Sequence, residues 1–283
     1  MTKAELDNRK ILPLEDSWYR RVKEKLDGIA KPLDGLGKFE HLIAQIGAIE
    51  KTTKISIQKK AVLVMCADNG VVEEQVSQSG KEVTLAVAKA MGVNNSSVGK
   101  MAAVAGVDVI PVDIGIDTDE VIPGVLPRKV AKGTKNFAKE PAMTEEEVLK
   151  AIETGIQLVQ QCHREGYEIL ATGEMGIGNT TTSTAVAAAL LDLEVEQVTG
   201  KGAGLTDEAL KRKCRVIEEA IEKYFLRDAD AFTILKTVGG LDIAGLTGVF
   251  IGAAIEQIPV VIDGVISAVA ALLAETFCKG AVN

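Results

Sequence analysis

The sequence predicts an α/β protein built on a mostly parallel sheet, and three observations carry that expectation. Short apolar runs recur with helical segments between them: Lys60 to Ala67, Val107 to Ile114, Tyr167 to Thr172, Phe232 to Val238 and Pro259 to Ile262. These runs are continuously hydrophobic rather than alternating, the pattern of parallel strands covered by helices on both faces. Several also end near glycine with an acid close by, at Asp68, Asp113, Glu174, Asp242 and Asp263. Ligands of open α/β sheets lie beyond the carboxyl ends of the strands, so these acids are expected to converge on one cleft.

Taken in order, residues 5–50 are expected to be helical, with Leu42, Ile43, Ile46 and Ile49 at helix spacing and a Pro-Gly break from Lys31 to Gly37. The first strand, 60–67, runs into Asp68-Asn69-Gly70, and a helix follows over Lys81 to Met91. The second strand, 107–114, ends at Gly115, and residues 117–140 are expected to be loop or short strands. Thr144-Glu145-Glu146-Glu147 is a capping box, opening a helix whose inner face is Val148, Ile152, Ile156 and Val159. The strand at 167–172 leads into a glycine turn and an Ala-rich helix, Ser183 to Leu191. Thr206 caps another helix with the stripe Leu210, Cys214, Ile217 and Ile221. The last two strands end in Gly239-Gly240 and Asp263-Gly264.

Composition excludes several classes. The 283 residues carry a net charge of −8, against nucleic acid as a partner. Neither apolar stretch, Ile243 to Ile255 or Val260 to Leu273, suits a membrane span: the first is too short and Asp263 breaks the second. The N-terminus is polar and acidic, unlike a secretory signal. Four scattered cysteines without a C-x-x-C pair fit a reducing cytoplasm. The two histidines, His41 and His163, have no ligand partner at metal spacing, so no metal or other cofactor is expected and carboxylates are the expected proton carriers.

The chemistry concentrates in Gly173-Glu174-Met175-Gly176-Ile177-Gly178-Asn179-Thr180-Thr181-Thr182. A strand, a glycine turn and a helix start in that order make an anion site, because the unpaired N–H groups of the first helical turn point at the ligand. Asn179 and the threonines add side-chain donors. Glu174 is the odd member, since a carboxylate beside an anion needs a chemical or positioning task. Gly173 and Gly178 have P-loop spacing, but Asn179 stands where the lysine is required. Gly176 and Gly178 fit a dinucleotide fingerprint, but Thr181 replaces its third glycine, which disfavours a dinucleotide oxidoreductase. A single phosphate is the better expectation. The same pattern also serves as a plain strand-to-helix turn.

Nearly the whole chain resembles the nicotinate-nucleotide–dimethylbenzimidazole phosphoribosyltransferases of cobalamin biosynthesis. The carriers are Lys31-Pro32 with Leu36-Gly37-Lys38-Phe39-Glu40, Ala67-Asp68-Asn69-Gly70-Val71, Val76-Ser77, Glu82-Val83-Thr84, Gly133-Thr134 and Pro141-Ala142-Met143-Thr144. They continue with Gly173 to Thr181, Gly202-Ala203-Gly204-Leu205, Val238-Gly239-Gly240 and Pro259 to Gly264. The resemblance implies transfer of the ribose phosphate of nicotinate mononucleotide to 5,6-dimethylbenzimidazole, giving α-ribazole phosphate and nicotinate. It implies a doubly wound α/β domain, a smaller helical subdomain built from the chain ends, a homodimer and no metal. Residues 1–50 would supply the N-terminal part of that subdomain and residues 51–283 the Rossmann-like transferase domain.

Glu174 is then the expected catalytic residue, and Ser77, Gly176, Gly178, Asn179, Thr180, Thr181, Gly202 and Gly204 the expected substrate contacts. Lys213, on pattern alone an ordinary helix lysine, becomes the cation for the 5′-phosphate. Asp242 and Asp263 fit two roles, helix caps or acids beside the sugar. The family usually has histidine at Asn69 and proline at Gly80, and Ala86 stands where its best-known members carry a glutamine near the base. Its catalytic glutamate belongs to a Gly-Glu-Gly segment beyond position 283, from which weak or absent activity of these residues alone is expected. The alternative is a non-catalytic or partner-dependent subunit of a homologous two-chain enzyme that activates phenolic bases.

Overall fold

In the computed structural model, which describes residues 1–283, the chain begins with helices α1 (Lys3–Asp7), α2 (Asp16–Asp27) and α3 (Lys38–Ile49). There follow β1 (Lys60–Ala67), α4 (Glu82–Gly92), α5 (Ser97–Ala105), β2 (Val107–Gly115), β3 (Leu126–Pro127) and α6 (Glu145–Arg164). The second half runs through β4 (Ile169–Met175), α7 (Asn179–Leu191), α8 (Val195–Val198), α9 (Asp207–Lys223), α10 (Ala231–Val238), α11 (Leu241–Glu256), β5 (Val260–Val261) and α12 (Gly264–Phe277). The sheet order is β3-β2-β1-β4-β5, with every pairing parallel.

The apolar strand runs have the expected cause. In β1, Ala61, Leu63, Met65 and Ala67 enter the main core, which α6, α11 and α12 also fill. Val62, Val64 and Cys66 face the other way, onto Ala88 and Met91 of α4. Both faces of the strand are therefore dry, which is why its sequence does not alternate. The expected α/β doubly wound sheet is present.

One expected strand is a helix. Residues 232–238 lie in α10, started by Asp230, whose carboxylate accepts from the Phe232 and Thr233 amides at 3.0 and 3.1 Å. Ala231, Phe232, Ile234, Leu235 and Val238 are buried at helical spacing. The continuous apolar character of the run suggested a strand, but the N-cap and this spacing decide the structure. The fifth strand of the sheet is instead the short β3, inside the segment 117–140.

Helices α6 and α11 lie unusually close because glycines meet backbone at their crossing. A Cβ at Gly248 would run into the Ile152 carbonyl, and one at Gly155 into the Gly245 carbonyl. At the chain start, Leu6 of α1 is fully buried in the main core and the terminal ammonium pairs with Glu153 at 2.9 Å. Helices α2 and α3 pack on each other, joined by a fully buried Glu40 that takes Lys31 at 2.7 Å and Lys23 at 3.0 Å. The apolar face of α3 is open. Phe39, Leu42, Ile43 and Ile46 line a groove of about 810 Å³ opposite Val260 and Val261 of the edge strand β5. Leu42, Ile43, Ile46 and Ile49 have the helix spacing expected of them, but they line a groove rather than a closed core.

Candidate active site

The strand order places the two halves of the site. From central β1 the chain winds outward through β2 and β3, then returns to β1's other side with β4 and β5. The crevice between the carboxyl ends of β1 and β4 is thus the switch point where such sheets bind ligands. Asp68-Asn69 leaves β1 there and Gly176-Ile177-Gly178 leaves β4. Strand β4 runs further than the sequence suggested: the ladder pairs Val64 with Gly173, Met65 with Glu174 and Cys66 with Met175. Glu174 is consequently held by the sheet and not by the turn.

The turn after β4 is short and forced. Gly178 has φ +92°, and a Cβ there would come within 2.7 Å of Val72. The amides of Asn179 and Thr181 turn back onto the carbonyls of Gly176 and Gly178, and that of Ile177 donates to Thr84 Oγ1 at 3.2 Å. The amides of Gly176, Gly178 and Thr180 are left without a protein acceptor, the last two at the helix start. Not every amide from Gly176 to Thr181 is therefore open, as the sequence suggested, but the helix start still presents a pair. Thr181 is turned fully inward, with Oγ1 unpartnered in the core, so Thr180 is the threonine at the mouth.

Lys213 completes the cradle. It is fully buried on the inner face of α9, where the sequence pattern alone suggested solvent. Its Nζ donates to Thr180 Oγ1 at 2.8 Å and to the Gly200 carbonyl at 3.2 Å, and it has no carboxylate partner. Burial pulls its pKa down to about 8. The loop at Gly200–Gly204 covers it: a Cβ at Gly202, whose φ is +55°, would lie 3.1 Å from Thr180 Oγ1 and 3.9 Å from Nζ. Gly204 in turn sits against Gln78, beside the half-buried Ser77, so the 76–80 and 200–204 loops border the same mouth.

The acids divide. Asn179 is buried, and its Nδ2 donates to Glu174 Oε2 at 2.5 Å and Asp242 Oδ2 at 3.0 Å. Burial first, then the Asp242 charge, raises the Glu174 pKa to about 7, with Asp263 adding to the push. Asp242 has no exposed surface and burial raises its pKa as well. Asp263 is exposed; it precedes α12 without bonding its amides. Asp68 accepts the Asp117 amide at 2.8 Å, and burial raises its pKa. Asp113 does not join the others: Lys129 pairs with it at 2.8 Å and the Ile116 amide caps it. Two roles were not legible in the sequence, that of Thr84, quoted only for the resemblance, in holding the turn and that of Gly200 in lending Lys213 a carbonyl. Neither has a spacing signal, because each acts across the fold.

A family model described as phosphoribosyltransferase matches residues 11–283. The chain belongs to the phosphoribosyltransferase family. Among curated relatives, the nicotinate-nucleotide–dimethylbenzimidazole phosphoribosyltransferase of Acetivibrio thermocellus is 48% identical over 253 residues, 89% of this chain and 72% of that protein. The enzyme of the same description from Clostridium perfringens is 46% identical over 261 residues, 92% of this chain and 72% of that one. A crystal structure of CobT from Thermus thermophilus superposes with a TM-score of 0.88 at 32% identity, covering 94% of this chain and 80% of that chain. This phosphoribosyltransferase thus has the architecture its sequence predicts, and the cradle described above sits at the ligand crevice of that architecture.

Proposed function

We propose that this chain transfers the phosphoribosyl group of nicotinate mononucleotide to 5,6-dimethylbenzimidazole or a related lower-ligand base, releasing nicotinate and giving α-ribazole phosphate. The observation that carries the reading is a buried, unpaired lysine beside an open helix N-terminus, a few residues from a carboxylate on the adjoining strand. A lone phosphate suits the first pair, and an electron-poor sugar carbon suits the carboxylate.

In this reading the 5′-phosphate takes the free amides of Gly178 and Thr180, the Thr180 hydroxyl and Lys213. To reach Nζ it displaces the Gly200 carbonyl, so the 200–204 loop, with Gly202 and Gly204, yields as ligand enters. Ser77 faces the same mouth. As the bond from C1′ to the pyridinium nitrogen breaks, C1′ gains positive character that the Glu174 carboxylate stabilises, with Asp263 adding negative charge nearby. The incoming base forms the new C1′–N bond through the lone pair of one ring nitrogen, and the proton on its other ring nitrogen passes to water.

The segment at residues 1–50 is proposed as part of a smaller helical subdomain and the remainder as the transferase domain, working as a homodimer in the cytoplasm, where four free thiols are stable. The test is a panel of benzimidazoles, purines and phenols offered with nicotinate mononucleotide, with products identified by mass. Nicotinate release with a benzimidazole ribotide is the expected result. Binding of nicotinate mononucleotide without any base-dependent product refutes the transfer.

A further inference from the structure

Asp242 is an ionisable side chain that the reaction above does not use and solvent does not reach. It is nevertheless built closely into the site. A Cβ at Gly176 would lie 2.7 Å from its Oδ2, and a Cβ at Gly240 would collide with its Oδ1. The two glycines therefore form a slot that admits the carboxylate. The Ile243 amide, in the first turn of α11, donates to Oδ1 at 3.0 Å. Oδ2 meets Asn179, and the same amide nitrogen reaches Glu174. One side-chain NH2 group is thus shared between two carboxylates, both within 3.0 Å of its nitrogen.

We infer that Asp242 is a positioning residue: it acts through the shared Asn179 amide to hold the Glu174 carboxylate in place, while its own carboxylate faces Glu174 across that amide until a cationic sugar arrives. This rests on the proposed transfer for its purpose, but not for its physics. The surroundings offer no competing charge balance. From β1 the pair meets the Cys66 thiol, itself held protonated by burial, and from the segment after β1 the Asn69 amide, whose Oδ1 is buried without a donor. From the start of α12, Asp263 adds a further negative charge on Glu174. No lysine, arginine or histidine acts on either carboxylate. Two acids bridged by one neutral amide do not ionise independently, and a positive centre at C1′ would restore the balance. Turning Asn179 away would free both acids, so its orientation and the ionisation of Glu174 are linked.

The test is a 13C-NMR titration of protein carrying 13Cδ-glutamate, with the Glu174 resonance assigned by its loss in Glu174→Gln. In the unaltered protein, Glu174 is expected to titrate well above ordinary glutamates and in two steps, the second reporting Asp242. In Asp242→Asn, which keeps volume and an acceptor for Asn179, the Glu174 midpoint is expected to fall by about one pH unit. The acid limb of kcat/KM should move down by the same amount. A merely structural Asp242 would lower stability without moving that midpoint. An unchanged midpoint in Asp242→Asn overturns the inference. If that variant does not fold, a single-step Glu174 curve near the ordinary carboxylate range in the unaltered protein overturns it instead. Because the NMR arm needs no turnover, a chain without transferase activity would sink the functional reading and leave this one still decided.

Discussion

At Lys213 the energetics of the empty and filled site point in opposite directions. A buried ammonium with only a hydroxyl and a carbonyl for partners is costly, and its pKa of about 8 expresses that cost. A bound phosphate dianion reverses the sign and draws the proton back. Above pH 8, then, binding of nicotinate mononucleotide should take up a proton that it does not take up below. Calorimetry at pH 7.5 and 9 in buffers of different ionisation enthalpy reads this directly. Lys213→Met should abolish the uptake and weaken binding about 10- to 100-fold, the worth of one charge-assisted hydrogen bond. Glu174→Gln should instead leave binding near normal and lower kcat by about 10²-fold or more, if the carboxylate acts on charge that develops in the transition state. Equal losses in KM and kcat would return Glu174 to a binding role. Much of this site was legible, because glycines, Asn179 and Thr180 follow one another in the chain and their order is itself the chemistry. The inward turn of Thr181 and the burial of Asp242 were not, since helix phase and packing set them.

Elements were read well where periodicity and caps agreed and poorly where composition stood alone. Thr144 and Thr206 open α6 and α9 as expected, each accepting a backbone amide. The run 232–238 misled because a short continuous apolar stretch suits a buried strand or a buried helix alike, and the Asp230 cap that decides for the helix lies outside it. The contact between α6 and α11 was invisible in the sequence, for a glycine inside a helix looks like a weakness until the facing helix is known. That contact gives a prediction with a definite sign. Replacing Gly248 by alanine gains about 1 kcal/mol of helix propensity. It also drives a methyl into the Ile152 carbonyl, which is backbone and cannot rotate away. Overpacking of this kind costs about 1–3 kcal/mol or more, so the steric effect should win. Denaturant melts of Gly248→Ala should show a lower midpoint at unchanged slope. A more stable variant would mean that the two helices separate easily, and that the crossing is not tight.

Across the whole molecule, the parallel winding gathers strand ends and helix starts at one edge of the sheet, and with them acids that no cation neutralises. The fold class was readable because burial on both faces of β1 leaves a continuous apolar run. The convergence was readable only in outline: Glu174, Asp242 and Asp263 came together, while Asp113 was claimed by Lys129. Such an edge should make the empty protein less stable at neutral pH than in mild acid. The Glu174 pKa is raised to about 7 in the folded state, against an ordinary 4.5. Between those values the native state holds a proton that the unfolded chain has released, so stability falls as pH rises through this window. Glu50, raised to about 7 by burial, adds a slope of the same sign. The Glu174 share is therefore isolated by Glu174→Gln, which should stabilise the empty protein by on the order of 2 kcal/mol at pH 8 and by little at pH 4.5. Melting temperatures of the two proteins across that range decide the matter. Parallel curves would mean that Glu174 is ionised at no special cost, and a carboxylate so relaxed would have no stored tendency to meet a cationic sugar.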